Sequence, residues 1–201
     1  MPDDPDRHKA KMIKRKAAQD AEVAGKPITS KGLLIVHTGP GKGKSTAAFG
    51  LALRALGRGW RVGVVQFIKG AWETGERSAF ARFADQMVWR TMGEGFTWET
   101  QDRARDVAAA GAAWIEALNM MADPTIRLLI LDELSIALRY DYLPLDDVVA
   151  ALSARRDDLH VVVTGRNAKP ELIAAADLVT EMTLVKHHFA AGVRAQEGIE
   201  F

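Results

Sequence analysis

The chain of 201 residues has no cysteine, which excludes disulfides, thiolate metal sites and a catalytic thiol. Nor does it contain a run approaching the ~18 apolar residues of a membrane span. The opening MPDDPDRHKAK lacks the apolar centre of a secretory signal, so the expectation is a cytoplasmic protein with no membrane partner. Charge of one sign is also scarce. A formal net charge of +1 gives no global pull toward nucleic acid or lipid, and no nucleic-acid partner is expected. Internal repeats, heptads and low-complexity segments are missing. The remainder is ordinary for a globular α/β protein, with 48% apolar and 26% charged residues.

The most informative stretch is LLIVHTGPGKGKST, Leu33–Thr46. An apolar strand runs into a glycine-rich turn ending in Gly43-Lys44-Ser45, the grammar of a phosphate-binding loop. Turn amides and the following helix N-terminus can converge on phosphate, Lys44 adds a mobile positive charge, and the Ser45 hydroxyl can ligate Mg²⁺. The full Gly-x-x-x-x-Gly-Lys-Ser spacing is not met, because its first glycine falls at Thr38, one residue before Gly39. Either Thr38 fills that slot or the loop is one residue tighter. The second landmark is RLLILDE, where Asp132 and Glu133 end an apolar strand at the edge where open α/β sheets bind ligands. A carboxylate there can hold Mg²⁺ directly or through water. The spacing leaves open which of the two lies nearer the metal.

Around these landmarks, helical and strand patterns alternate. Phe49, Leu53 and Leu56 predict the inner face of the helix after the loop, and RVGVVQFI predicts a buried parallel strand. A short helix over Ser78–Asp85 and a strand over Met87–Thr91 follow. Thr97 is the expected cap of a long helix through Met121, with Val107, Trp114, Leu118 and Met121 facing the core. Pro144 opens a helix to Arg156, His160–Thr164 is a buried strand, and Pro170–Ala176 and Leu178–Val185 form the last helix and strand. Arg166, just past a strand end, points either to the ligand edge or to solvent. Phe96 and Trp98 are balanced between core packing and ligand contact. His187-His188 invites a metal-pair reading, but neighbours on a strand face opposite ways, so surface or hydrogen-bonding roles are expected. The fold class is α/β: a single-domain P-loop, mostly parallel sheet flanked by helices on both faces, spanning residues 31–201. Residues 1–30 form a basic arm, with Arg7, Lys9, Lys11, Lys14, Arg15 and Lys16 uninterrupted by acid or aromatic residues. It reads as a solvated arm, a nucleic-acid tail, or a helix folding over an anionic ligand. The default ligand is a nucleoside triphosphate with Mg²⁺. Phosphoryl transfer by a small-molecule kinase or ATPase, nucleic-acid binding, and displacement at ribose C5′ all remain open.

The blocks TGPGKGKSTAAFGLALRALGRG, VGVVQFIKG, GERS, GFTWET, LLILDEL, YDYLPLDDV, VVVTGR and VKHHFAAGVRAQEGIEF, in that order, resemble the P-loop type of ATP:corrinoid adenosyltransferase. That resemblance implies attack of Co(I) of a reduced corrinoid on C5′ of ATP, with release of inorganic triphosphate, in cobalamin biosynthesis and corrinoid salvage. It implies a RecA-like parallel sheet, a homodimer, Mg²⁺ or Mn²⁺, a flavin-type reductant supplying Co(I), and ATP held in reverse of the usual orientation. By matching position, the ATP site would comprise Thr38, Gly39, Gly41, Lys42, Gly43, Lys44, Ser45, Thr46, Arg54 and Arg166. Ser45 and Glu133 would hold the metal. Phe96 and Trp98 would face the corrin ring, displacing its lower axial ligand, and with Lys44 would be the catalytic residues. The arm resembles a segment that covers the active site in that family.

Overall fold

The computed structural model describes residues 5–28, 30–68, 74–92 and 102–200. Two units separate, Met1–Lys31 and Gly32–Phe201. In the first, α1 (Pro5–Ala24) takes in the basic run and the helix-favouring AAQDAEVA, and ends where Gly25 breaks the pattern. Lys16 pairs with Asp20 one turn on, at 2.8 Å.

Among the described residues, the second unit is built on a six-stranded sheet. Its strands are β1 (Leu34–Thr38), β2 (Arg61–Gln66), β3 (Met87–Thr91), β4 (Ile126–Asp132), β5 (His160–Thr164) and β6 (Leu178–Glu181). The order is β3-β2-β4-β5-β1-β6, and every pairing is parallel. Parallel strands need crossovers, which here are α2 (Lys44–Leu56), α3 (Gly75–Phe80), α4 (Arg103–Ala122), α5 (Leu134–Arg139), α6 (Leu145–Ser153) and α7 (Pro170–Ala175). One core lies between the sheet and α2, the other between the opposite face and α4–α7. Helices on both faces explain why the inner strands are apolar throughout. Among the described residues no helix is long and apolar enough to cross a membrane.

Several element faces and bounds differ from expectation. Leu53 is exposed, while Ala48, Phe49, Ala52, Ala55 and Leu56 are buried. At ~100° per residue, Leu53 sits about 100° from the centre of that stripe. On α4 the buried residues are Ala110, Ala113, Ala117, Met120 and Met121, with Trp114 partly buried; Val107 and Leu118 are exposed. Small residues win here because α4 lies close on β2. A Cβ added to Gly63 would come within 2.9 Å of the Met120 sulfur. The described start of α4 is capped by Asp102, whose Oδ1 accepts from the amides of Ala104 and Arg105; Thr97 lies outside the described residues. β2 stops at Gln66, and β6 stops at Glu181 rather than Val185. The expected Ser78–Asp85 helix appears as α3 followed by a 3₁₀ turn, Ala81–Phe83.

A level row of polar side chains crosses the sheet on its α2 face, near the carboxyl ends of the strands. Thr91 pairs in register with Gln66, and Gln66 with Asp132. Asp132 is bonded to Thr164, and His37 registers with Thr164 and Thr180. His37 is 7% exposed, and neither ring nitrogen has a described partner. Burial holds its imidazole below the ordinary value of 6.5. The unfolded chain therefore takes up a proton as pH falls through about 6.5 while the folded chain resists it, so stability is lost on acidification. His37→Phe should remove the orphaned nitrogens and flatten part of that loss, His160 keeping the rest because burial depresses it too. Melting temperatures at pH 7.5 and 5.5 check this; a pH difference identical to wild type contradicts it.

Candidate active site

β1 ends at Thr38, and α2 begins at Lys44, so the turn between them is Gly39–Gly43. Gly39 and Gly43 have φ of 96° and 104°, a region that side chains with a Cβ rarely adopt. Gly41 is needed for a different reason: an added Cβ would lie 2.6 Å from the Thr183 carbonyl oxygen. The segment after β6 thus runs against the loop, and the Gly41 amide donates to the Met182 carbonyl at 2.7 Å. That amide is engaged within the protein, which narrows the expected set of Gly41–Gly43 phosphate donors. Thr38 is buried as a strand residue, its Oγ1 accepting from the Ala168 amide at 3.1 Å. It takes the place of a first loop glycine without making a turn.

Lys44 is buried, and its Nζ donates to the carbonyls of Gly39 at 2.9 Å and Gly41 at 2.5 Å. Burial pushes its ammonium below the ordinary lysine range; Glu133 opposes the shift, and Arg166 and Lys42 add to it. Those three charges therefore lie close enough to Lys44 to be felt. Glu133 balances part of this charge and Lys42 is paired with Glu200; a polyphosphate would relieve the repulsion that remains among Lys42, Lys44 and Arg166.

Asp132 is completely buried. Its Oδ1 accepts from Ser45 Oγ at 2.7 Å and Thr164 Oγ1 at 2.8 Å, and its Oδ2 from Gln66 Nε2 at 3.0 Å. Gln66 is oriented in turn by Trp89 Nε1 and Thr91 Oγ1, which donate to its Oε1 at 3.1 and 3.0 Å. Glu133 follows in a left-handed conformation, φ 63°, with its amide donating to Thr164 Oγ1 at 2.9 Å. That kink turns its carboxylate toward Gly165, where an added Cβ would sit 3.3 Å from Oε2. Ser45, Asp132 and Glu133 offer only oxygen, the donor set of Mg²⁺ or Mn²⁺. Asp132 is the carboxylate tied to Ser45, and Glu133 the one whose charge reaches Lys44.

The structure thus brings together Thr38, Gly39, Gly41, Lys42, Gly43, Lys44, Ser45, Glu133 and Arg166; Thr46 is exposed on the first turn of α2. It does not bring Arg54 to the loop within one copy of the chain. Ten residues further along α2 is ~15 Å. There Arg54 lines a separate, mostly apolar cavity of about 260 Å³ with Leu51, Trp60 and His160. Phe96 and Trp98 lie outside the described residues. Gln66 and Thr164 were not singled out from sequence, although each is the polar residue closing an apolar strand, as Asp132 is. His187 and His188 are not on a strand: His187 caps a 3₁₀ turn, His188–Ala191, and the two rings stack with centroids 4.6 Å apart.

Comparison with known proteins places this geometry. The family described as ATP:corrinoid adenosyltransferase BtuR/CobO/CobP matches residues 30–201, and cob(I)alamin adenosyltransferase N terminal matches residues 1–23. A corrinoid adenosyltransferase of Pseudomonas aeruginosa is 55% identical over 200 residues, covering 100% of this chain and 98% of that protein. One from a Sinorhizobium species is 53% identical, covering 97% and 92%. Corrinoid adenosyltransferase CobA of Salmonella typhimurium is 46% identical, covering 98% of each. This chain belongs to the ATP:corrinoid adenosyltransferase family.

Proposed function

We propose that this chain transfers the 5′-deoxyadenosyl group of ATP to Co(I) of a reduced corrinoid. The Co(I) electron pair forms the cobalt–carbon bond at C5′, and the C5′–O bond breaks with its electrons leaving on inorganic triphosphate. Cobalt is formally oxidised to Co(III), and no phosphorus–oxygen bond is cleaved. The observation that carries the assignment of roles is the buried Lys44 ammonium held by the Gly39 and Gly41 carbonyls in the turn at the carboxyl edge of the sheet. Such a cation suits a leaving group that gains charge as it departs.

In this reading Lys44 exchanges its two loop carbonyls for triphosphate oxygens, and the amides of Gly43 and the first turn of α2 face the same group. Ser45 and Glu133 would hold Mg²⁺ or Mn²⁺, with Asp132 orienting Ser45; the metal would neutralise phosphate charge. A loop with its Gly41 amide already engaged supports an unusual pose of ATP. Phe96 and Trp98 would face the corrin ring and offer no ligand to cobalt, favouring the four-coordinate metal that is reduced to Co(I). A flavin-type reductant would supply the electron. The active form would be a homodimer, and Arg54 would contact the nucleotide.

Incubation with ATP, Mg²⁺ and a chemically reduced corrinoid should yield alkylated cobalt, read from the corrinoid absorption spectrum. No change beyond a protein-free control contradicts the proposal. Phe96→Ala is expected to slow reaction of corrinoids that carry a lower base more than of base-free ones. Equal losses on both would remove the ligand-displacing role.

A further inference from the structure

We infer that His187, His188 and Glu200 form a site for a transition-metal dication of the Zn²⁺ class, and that this metal competes with Lys42 for Glu200. One ligand atom from each residue falls within 4.8 Å of the others, a spacing no other trio of His, Cys, Asp or Glu meets among the described residues. The two imidazoles stack at an interplanar angle of 29°, which keeps the rings side by side. His188 Nε2 lies 3.0 Å from Glu200 Oε1. Zn²⁺ bonds of ~2.0–2.1 Å put tetrahedral ligands about 3.3 Å apart, so shifts of about 1 Å in these partly buried side chains close the cage. Three protein ligands leave a fourth position for water.

Donor chemistry separates this site from the phosphate loop's metal position. Two imidazoles and one carboxylate select Zn²⁺, Ni²⁺ or Co²⁺, whereas the oxygens of Ser45 and Glu133 select Mg²⁺. Binding needs the imidazole lone pair, so any proton on the ligating nitrogen passes to water. His187 either gives up the Nδ1 bond it accepts from the Phe189 amide at 3.1 Å, or binds through Nε2 and moves its proton.

The link to the active site is electrostatic. Glu200 Oε2 is paired with the Lys42 ammonium while Oε1 faces His188. A dication on Glu200 repels that ammonium, so metal on the carboxyl-terminal segment and Lys42 on Glu200 exclude one another.

Isothermal titration of the full chain with Zn²⁺ in a non-chelating buffer tests this. Wild type should show one saturable site. His188→Ala and Glu200→Gln should each weaken it at least tenfold, and Lys42→Met should tighten it several-fold. Opposite signs in variants around one carboxylate cannot both come from lost folding. No saturable binding, equal affinity in wild type and His188→Ala, or no tightening in Lys42→Met would overturn the inference.

Discussion

Replacing Lys44 with alanine is expected to lower turnover by about 10²–10³-fold. The ammonium is buried, held by two loop carbonyls and surrounded by Lys42 and Arg166. Once it exchanges those carbonyls for phosphate oxygens, charge growing on the departing triphosphate meets a cation already stripped of most water. Much of the effect should appear in the maximal rate rather than in apparent ATP affinity, because Lys42, Arg166 and the helix N-terminus still attract the ground-state anion. Lys44→Arg should recover little, since a planar guanidinium does not fit between the Gly39 and Gly41 carbonyls. Turnover within a few-fold of wild type in Lys44→Ala contradicts this role.

Removing the Asp132 carboxylate should have the largest effect on stability. It accepts three hydrogen bonds in complete burial, so Asp132→Ala orphans donors on Ser45, Thr164 and Gln66 at once. Leaving a buried donor unsatisfied costs ~1–3 kcal/mol, and the three do not add in full; a net loss of about 3 kcal/mol is expected. For a domain of this size that lowers the melting temperature by about 6–12 °C. Asp132→Asn tests the charge with little change of shape. Its amide can accept from Ser45 and Thr164 but then presents N–H groups to Gln66. Gln66 would have to flip, abandoning Trp89 and Thr91. Asp132→Asn should therefore melt between wild type and alanine, and should bind Mn²⁺ less tightly in the presence of ATP, about 10–100-fold. Thermal unfolding with Mn²⁺ titration separates the two roles. An alanine variant as stable as wild type would remove the network argument.

How much of this was legible in the sequence depends on the range of the interaction. Met87–Thr91 and His160–Thr164 were placed to the residue, because a short apolar run between turn signals is a local property. The shape of the phosphate loop and the strand-terminal position of Asp132 were local in the same sense. Helix faces were harder. Leu53, Val107 and Leu118 look like core residues on hydrophobicity alone. Close approach of α4 to Gly63 instead selects the alanine stripe.

The polar row from Thr91 through Gln66, Asp132 and Thr164 was hidden because β2, β4 and β5 become neighbours only through crossovers. Its only sequence trace is a polar residue closing each apolar run. The pairing of Lys42 with Glu200 joins residues 158 apart, and nothing local at either end announces it. The same holds for the stacked His187 and His188, beyond the expected last strand, where a capped 3₁₀ turn is found. Phe96 and Trp98 rest on the resemblance of the GFTWET block alone.

The central claim is that the bond broken in ATP is C5′–O and that the phosphate chain leaves whole. The most direct measurement is the identity and amount of the phosphate product after reaction with reduced corrinoid, ATP and Mg²⁺. One intact inorganic triphosphate per cobalt–carbon bond is the predicted result. ADP, or orthophosphate released without alkylated cobalt, would contradict the account and mark the loop as that of a kinase or ATPase.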